Sequence, residues 1–99
     1  MFTVRVMMTL KPDARPALLT QLGIERRDVP ERFAGCRHFA AFPDPDDEDR
    51  ALLYEEWSDR AAFEAYRQSS YFEESGAVLW PLLDGAPDSA YFESELVGP

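Results

Sequence analysis

The sequence predicts an α+β fold in which a single antiparallel sheet of four strands carries its helices on one face. Three observations predict it. Apolar and polar side chains alternate along residues 2–10, two more strand-like stretches flank the acidic turn sequence PDPDDED (43–49), and a helical stretch follows both the first and the third strand. With a last strand near the C-terminus, the order is β-α-β-β-α-β, the split βαβ or ferredoxin-like arrangement.

The first strand and the first helix are predicted from the spacing of apolar residues. Along residues 2–10 one face of the strand receives Phe2, Val4, Val6, Met8 and Leu10. We expect Asp13 to cap the helix that follows and Pro30 to end it. Its apolar stripe is expected to consist of Ala14, Ala17, Leu18 and Leu22.

The rest of the chain predicts a hairpin, two helical segments and a final strand. The second strand covers residues 36–42, where strict alternation would place Cys36, His38, Ala40 and Phe42 on one face. The third strand covers residues 51–57, and Ser58 or Asp59 is expected to cap the next helix. A further helical segment runs from about residue 69 to 79 before Pro81, and residues 90–96 form the last strand.

Length and composition limit the class of protein. The 99 residues suffice for one domain, residues 1–99, with a thin core. The net charge of -9 and a single lysine argue against binding to nucleic acid or to an anionic membrane. The single cysteine, the lack of a signal-peptide pattern and the lack of an apolar run of about 20 residues favour a cytoplasmic protein.

The sheet face opposite the helices predicts a partner. This face, here called the open face, is expected to carry Met7, Leu52 and Tyr54 among polar residues. A mixed apolar face without a cover is better explained by a second subunit than by water. We therefore expect a homodimer formed through the open face.

Five short motifs, taken together and in order, resemble the antibiotic biosynthesis monooxygenase family. They are GC (35–36), PDPDD (43–47), LYEEW (53–57), DRAAF (59–63) and SSYF (69–72). The resemblance covers nearly the whole chain and implies a dimeric α+β barrel, with a cavity between the sheet and the helices of each protomer. Some members of this family oxidise phenols, anthrones or quinols with molecular oxygen and without metal or flavin. Others degrade haem, isomerise or cleave small sugar-derived signals, or have no known activity.

Glu55 is the candidate general base. Leu53, Glu55 and Trp57 share one face of the third strand, and the family pattern implies that this face lies under the helices. A carboxylate held against an indole in a dry pocket would have a raised pKa, which suits a base near neutral pH. The alternative is a structural acid bound by backbone amides or by a tyrosine hydroxyl.

The other candidate site residues surround that position. Tyr66 and Tyr71 are candidate hydrogen-bond donors, and both stand where many members of the family carry a histidine. Leu53 and Phe63 replace an asparagine and a tyrosine of the phenol-oxidising relatives, and the place of the haem-binding histidine falls near Gly76. The expected substrate-binding residues are Leu53, Trp57, Phe63, Val6 and Met8.

No metal or cofactor site is predicted. Cys36 and His38, at a spacing of two, match no recognised metal motif, and the acidic loop lacks the glycine and the distal glutamate of a calcium loop. His38 is interpreted as a sheet-edge or dimer-contact residue, with catalysis as the alternative. The function predicted is a cofactor-independent monooxygenase acting on a small phenol, quinol or anthrone-like substrate. An isomerase or lyase acting on a small carbonyl compound and a non-catalytic binding module are the alternatives.

Overall fold

The computed structural model describes residues 1–98 and has the predicted order of elements. Strands β1 (Phe2–Thr9), β2 (Cys36–Pro43), β3 (Arg50–Trp57) and β4 (Asp88–Glu93) form one antiparallel sheet in the order β2-β3-β1-β4. The helices are α1 (Arg15–Arg32), α2 (Arg60–Arg67) and α3 (Ser70–Leu79), and a 3-10 turn follows at Trp80–Leu82. The predicted ferredoxin-like α+β fold is therefore confirmed.

Strands β1 and β3 bury alternate residues, as their patterns predict. Buried positions of β1 pair directly with buried positions of β3, for example Val4 with Glu55 and Val6 with Leu53. Because side chains of paired residues point to the same face of a sheet, one face of these central strands is covered by the helices. Among residues 1–98, no helix combines the length and the apolar character that crossing a bilayer requires.

Helix α1 differs from the prediction at both ends. Asp13 does not cap it, since its φ of 65° lies in the left-handed region, whereas a capping residue normally has an extended backbone. The N-cap residue is Ala14, which offers no side-chain hydrogen bond. Pro30 lies inside the helix, which continues to Arg32. A proline this close to the C-terminus disturbs only the last turn, where the burial of Val29 holds the helix against the core.

The buried stripe of α1 contains a charged residue. Ala17 is exposed, contrary to the prediction, because the stripe that begins at Ala14 follows the helical period along a different line. Ile24 is 38% exposed, whereas its neighbour Glu25 is only 3% exposed. The buried positions of the helix are Leu18, Leu22, Glu25 and Val29.

Strand β2 contains a β-bulge that overturns the alternation predicted for it. Cys36 pairs with Trp57, but His38 instead of Arg37 pairs with Glu56. One extra residue reverses the faces of all residues that follow it. Phe39 therefore joins Cys36 in the core, while His38, Ala40 and Phe42 belong to the open face.

The helix starts in the second half agree with the predictions, and the last strand is shifted. Asp59 caps α2 by accepting a hydrogen bond of 2.8 Å from the backbone N–H of Ala62, and Ser69 caps α3 in the same way. Strand β4 starts at Asp88 and ends at Glu93, a little earlier than expected. It pairs with β1 at the sheet edge, which leaves most of its residues exposed.

Candidate active site

A cavity of about 270 Å³ lies between the helix-covered face of the sheet and the helices. Its floor is formed by residues of β1 and β3, which are Val4, Val6, Met8, Leu53 and Glu55. Its roof includes buried residues of all three helices, which are Glu25, Phe63, Tyr66, Ser75 and Leu79. The walls are thus mainly apolar, with two carboxyl groups, one phenol and one hydroxyl among the buried side chains.

Glu55 lies in the floor and is 4% exposed. The Nε1–H of Trp57 donates a hydrogen bond of 2.9 Å to its Oε1, which is possible because residues two apart on a strand share a face. Burial raises the pKa of Glu55 to about 7, against the lowering effect of this bond, and the charge of Glu25 adds to the rise. The hydrogen-bond donor to Glu55 is an indole N–H, whereas a structural acid was expected to be bound by backbone amides or by a tyrosine hydroxyl.

Glu25 is a second buried carboxyl in the same cavity, and it was not among the residues predicted from the sequence. Its Oε2 accepts a hydrogen bond of 3.1 Å from Nε2 of Gln21, one turn earlier on α1. Desolvation raises the pKa of Glu25 to about 7. The signal was present in the helical period, since the stripe through Leu18 and Leu22 continues to Val29 and passes through position 25.

Tyr66 lies between the cavity and Trp57. Its ring stacks on the indole with the ring centroids 5.0 Å apart, and the residue is almost fully buried. Burial, with smaller contributions from the charges of Glu55 and Glu25, raises the pKa of its phenol, so the hydroxyl stays protonated. Within residues 1–98 the hydroxyl of Tyr66 has no hydrogen-bond partner. Every fully enclosed side-chain oxygen or nitrogen there does have a partner, so the Tyr66 hydroxyl is not fully enclosed. We conclude that it opens to the cavity.

Four of the predicted site residues besides Glu55 and Tyr66 line the cavity, and two do not. Those that do are Val6, Met8, Leu53 and Phe63. Trp57 is fully buried behind the wall and contacts the rings of Tyr66 and Phe63. Tyr71 lies outside the wall, where its ring meets that of Phe33 and the guanidinium of Arg32, 4.8 Å from the ring centroid. Trp57 therefore positions Glu55 and Tyr66, whereas Tyr71 lies beside Ser75 and does not line the cavity.

Exposed aromatic residues surround the mouth of the cavity. Trp80 and Tyr91 line it, with Arg67 as the only cation in the described wall. The guanidinium of Arg67 lies 5.9 Å from the ring centroid of Tyr91. Gly76 allows Trp80 to pack onto α3, since a Cβ at this position would come within 2.5 Å of the indole nitrogen. The mouth is thus suited to the passage of a flat apolar molecule.

His38 lies on the opposite face of the sheet from these groups. It is exposed on the open face, where its ring meets the edge of Tyr54 with centroids 5.8 Å apart. The hydroxyl of Tyr54 donates a hydrogen bond to Glu56, which lies on the same open face. Within residues 1–98 no group of three or more His, Cys, Asp or Glu side chains could hold a metal ion.

Comparison with known proteins gives one family and a set of similar folds. The model of a family described as antibiotic biosynthesis monooxygenase matches residues 1–77. A crystal structure described by the same words is 19% identical, with a TM-score of 0.84, and the match covers 97% of this chain and 100% of that one. A protein of Mycobacterium tuberculosis is 21% identical over 98% of each chain, with a TM-score of 0.84.

A conserved protein of Methanosarcina mazei is 17% identical, with a TM-score of 0.81, over 95% of this chain and 92% of that one. At these identities the similar structures establish the fold alone. No curated protein matches the chain significantly.

Proposed function

The chain belongs to the antibiotic biosynthesis monooxygenase family, and on this premise we propose that it oxidises a small phenol, quinol or anthrone-like substrate with molecular oxygen and without a cofactor. The observation that carries the proposal is the placement of Glu55, a carboxyl group with a pKa of about 7 in the floor of a mainly apolar cavity. A base with this pKa is half ionised near neutral pH and can accept the proton of a weakly acidic hydroxyl.

The size of the cavity supports a small ligand. Its volume of about 270 Å³ lies just below the roughly 300–1,000 Å³ that is usual for small-molecule pockets, which favours compounds of few rings. Val6, Met8 and Leu53 offer apolar contacts to a substrate ring from the sheet, and Phe63 offers one from α2. A ring held there would place its hydroxyl against Glu55.

The proposed reaction needs three contributions from the protein. Glu55 accepts the proton of the substrate hydroxyl, and the resulting anion transfers one electron to dioxygen. The substrate radical and superoxide then combine into a peroxide, which yields the quinone and water. Tyr66 donates a hydrogen bond to the developing oxyanion, and the indole N–H of Trp57 fixes the orientation of Glu55. Tyr66 is preferred to Tyr71 in this role because Tyr66 lines the cavity.

Oxygen uptake tests the proposal. The purified protein would be given hydroquinones, naphthols and anthrones in the presence of a chelator, and Glu55→Gln should lower the rate at least about 100-fold. Glu56→Gln is the matched control, since it changes the next residue of the same strand on the other face. Wild-type protein that takes up no oxygen with any substrate would refute the oxygenase, and an active Glu55→Gln variant would refute the base.

A second candidate is an isomerase or lyase that acts on a small carbonyl compound. The observation that favours it is the presence of two carboxyl groups in one cavity, since enolisation needs a base for the carbon-bound proton and an acid for the carbonyl oxygen. Turnover under nitrogen separates this candidate from the oxygenase. The open volume of the cavity supports a ligand in either case, in contrast to a binding module whose pocket is filled by side chains.

We also propose that a second copy of the chain covers the open face. Phe42 of β2 is 51% exposed and Phe92 of β4 is 44% exposed, and both lie on this face. Together with the half-buried Met7, Leu52 and Tyr54 they form an apolar surface across the sheet. A surface of this kind is more stable in contact with a second protomer than in water.

A further inference from the structure

Glu25 and Glu55 differ from every other acidic residue that the structure describes. They are the only two that are buried. They come from distant parts of the chain, one from α1 in the roof and the other from β3 in the floor, and both line the same cavity. A helix and a strand have therefore each placed one carboxyl group where apolar side chains would be expected.

Neither carboxyl group is neutralised by a cation. Within residues 1–98 the single ion pair joins Arg27 and Asp28, outside the cavity. Each carboxyl accepts one hydrogen bond from a neutral donor, Gln21 for Glu25 and Trp57 for Glu55. A buried charge that lacks an ionic partner is costly, and two such charges in one cavity add mutual repulsion.

The other groups that face the two carboxyls do not change this balance. They are Tyr66 of α2, Tyr71 and Ser75 of α3 and Cys36 of β2, and burial raises the pKa of each of the two phenols and of the thiol, so all three stay neutral. On α1, Asp28 and Arg32 lie near Tyr71. Arg67 is exposed at the mouth, with its guanidinium over Tyr91.

We propose that Glu25 and Glu55 hold one proton between them and work as an acid–base pair, in which one carboxyl group accepts a proton while the other donates one. Two buried carboxylates that share one cavity cannot both ionise freely, so the second proton leaves only at a higher pH than the first. The catalytic use of the pair rests on the proposed function of the cavity, whereas the shared proton does not.

The pair balances the protons of the proposed oxidation. Glu55 takes the proton of the substrate hydroxyl, and after dioxygen has accepted one electron and joined the ring, Glu25 protonates the peroxide. Glu25 then accepts the proton of the carbon that bears the peroxide, the O–O bond breaks, and the departing hydroxide takes the proton of Glu55 as water. The products are the quinone and one water, and the pair returns to its starting state with one proton.

Carboxyl NMR tests the pair without any substrate. The side-chain carboxyl carbons of glutamate would be labelled with 13C and titrated from pH 4 to 9 in the intact protein. We expect the signals of Glu25 and Glu55 each to titrate in two steps, because each reports the ionisation of the other. A single independent step for each group would overturn the proposal, and this comparison needs no variant.

Substitutions give a second measurement. Glu25→Gln should lower the apparent pKa of Glu55 by about one pH unit, and Glu55→Gln should do the same to Glu25. Glu31→Gln on the exposed side of α1 and Glu56→Gln on the other face of β3 are the matched controls, and neither should change these values. Unchanged titration in both cavity variants would overturn the pair. Coupled titration in a protein that consumes no oxygen would support the pair and refute the monooxygenase.

Discussion

The two buried carboxyl groups should make the protein less stable as the pH rises from 5 to 8. The ordinary pKa of each group is 4.5, and in the folded protein each is raised to about 7. Between these values the folded state holds protons that the unfolded chain has released. The contribution of these bound protons to the free energy of unfolding is therefore complete below pH 4.5 and is lost as the pH rises through about 7.

The size of this effect follows from the pKa values. One pH unit corresponds to about 1.4 kcal/mol, so a rise from 4.5 to about 7 corresponds to about 3 kcal/mol for each group. Solvent screening reduces this little, because Glu25 and Glu55 are 3% and 4% exposed. The free energy of unfolding of a small domain is about 5–15 kcal/mol, so the loss should be large enough to measure.

Urea unfolding at pH 5, 6, 7 and 8, followed by circular dichroism, measures this loss. The wild-type free energy of unfolding should fall across the series, and Glu25→Gln should reduce the fall and be more stable than wild type at pH 8. Glu31→Gln should keep the wild-type slope. A wild-type free energy of unfolding that is constant or rises from pH 5 to 8 would contradict the raised pKa values of the two carboxyl groups, as would an unchanged slope in Glu25→Gln.

Three further predictions concern single contacts. Trp57→Phe removes the N–H group that donates to Glu55, so carboxyl NMR should show a higher pKa for Glu55. Urea unfolding should show a loss of about 1–3 kcal/mol in the free energy of unfolding. An unaltered pKa would show that this hydrogen bond does not stabilise the ionised form of Glu55. Asp59→Ala removes the cap of α2 and should cost about 1 kcal/mol in urea unfolding, with no loss if the cap is dispensable. Phe42→Asp should convert the proposed dimer into a folded monomer, as measured by sedimentation. A Phe42→Asp variant that still sediments as a dimer would contradict the proposed interface.

The fold and the direction of Glu55 could be predicted because they depend on neighbours along the chain. Alternation identifies the buried face of β1 and places Glu55 on one face of β3 with Leu53 and Trp57, while the family resemblance indicated that this face lies under the helices. The acidic turn between β2 and β3 identifies the hairpin in a similar way. Local patterns of this kind decide strand parity wherever the strand is regular.

The rest depended on contacts between elements. Glu25 is buried because the side of α1 that carries it packs onto the sheet. The same orientation of the helix exposes Ile24, although isoleucine is more hydrophobic than glutamate. The bulge in β2 depends on its pairing with β3. Strict alternation therefore placed His38 on the same face as Cys36, whereas the two residues lie on opposite faces. Pro30 is tolerated because tertiary packing of the last turn outweighs a local preference. Of these features, only the burial of Glu25 has a local signal, because position 25 lies on the helical stripe through Leu18, Leu22 and Val29.

The methyl signals of Met7 and Met8 test most directly whether the cavity binds an aromatic ring. These residues are adjacent on β1, but Met8 lines the cavity while Met7 lies on the open face. With 13C-labelled methionine methyl groups, a titration with 1-naphthol should shift the signal of Met8 to saturation and leave that of Met7 in place. A Met8 signal that does not move at high naphthol concentration, or equal movement of both signals, would contradict a ligand site between the sheet and the helices.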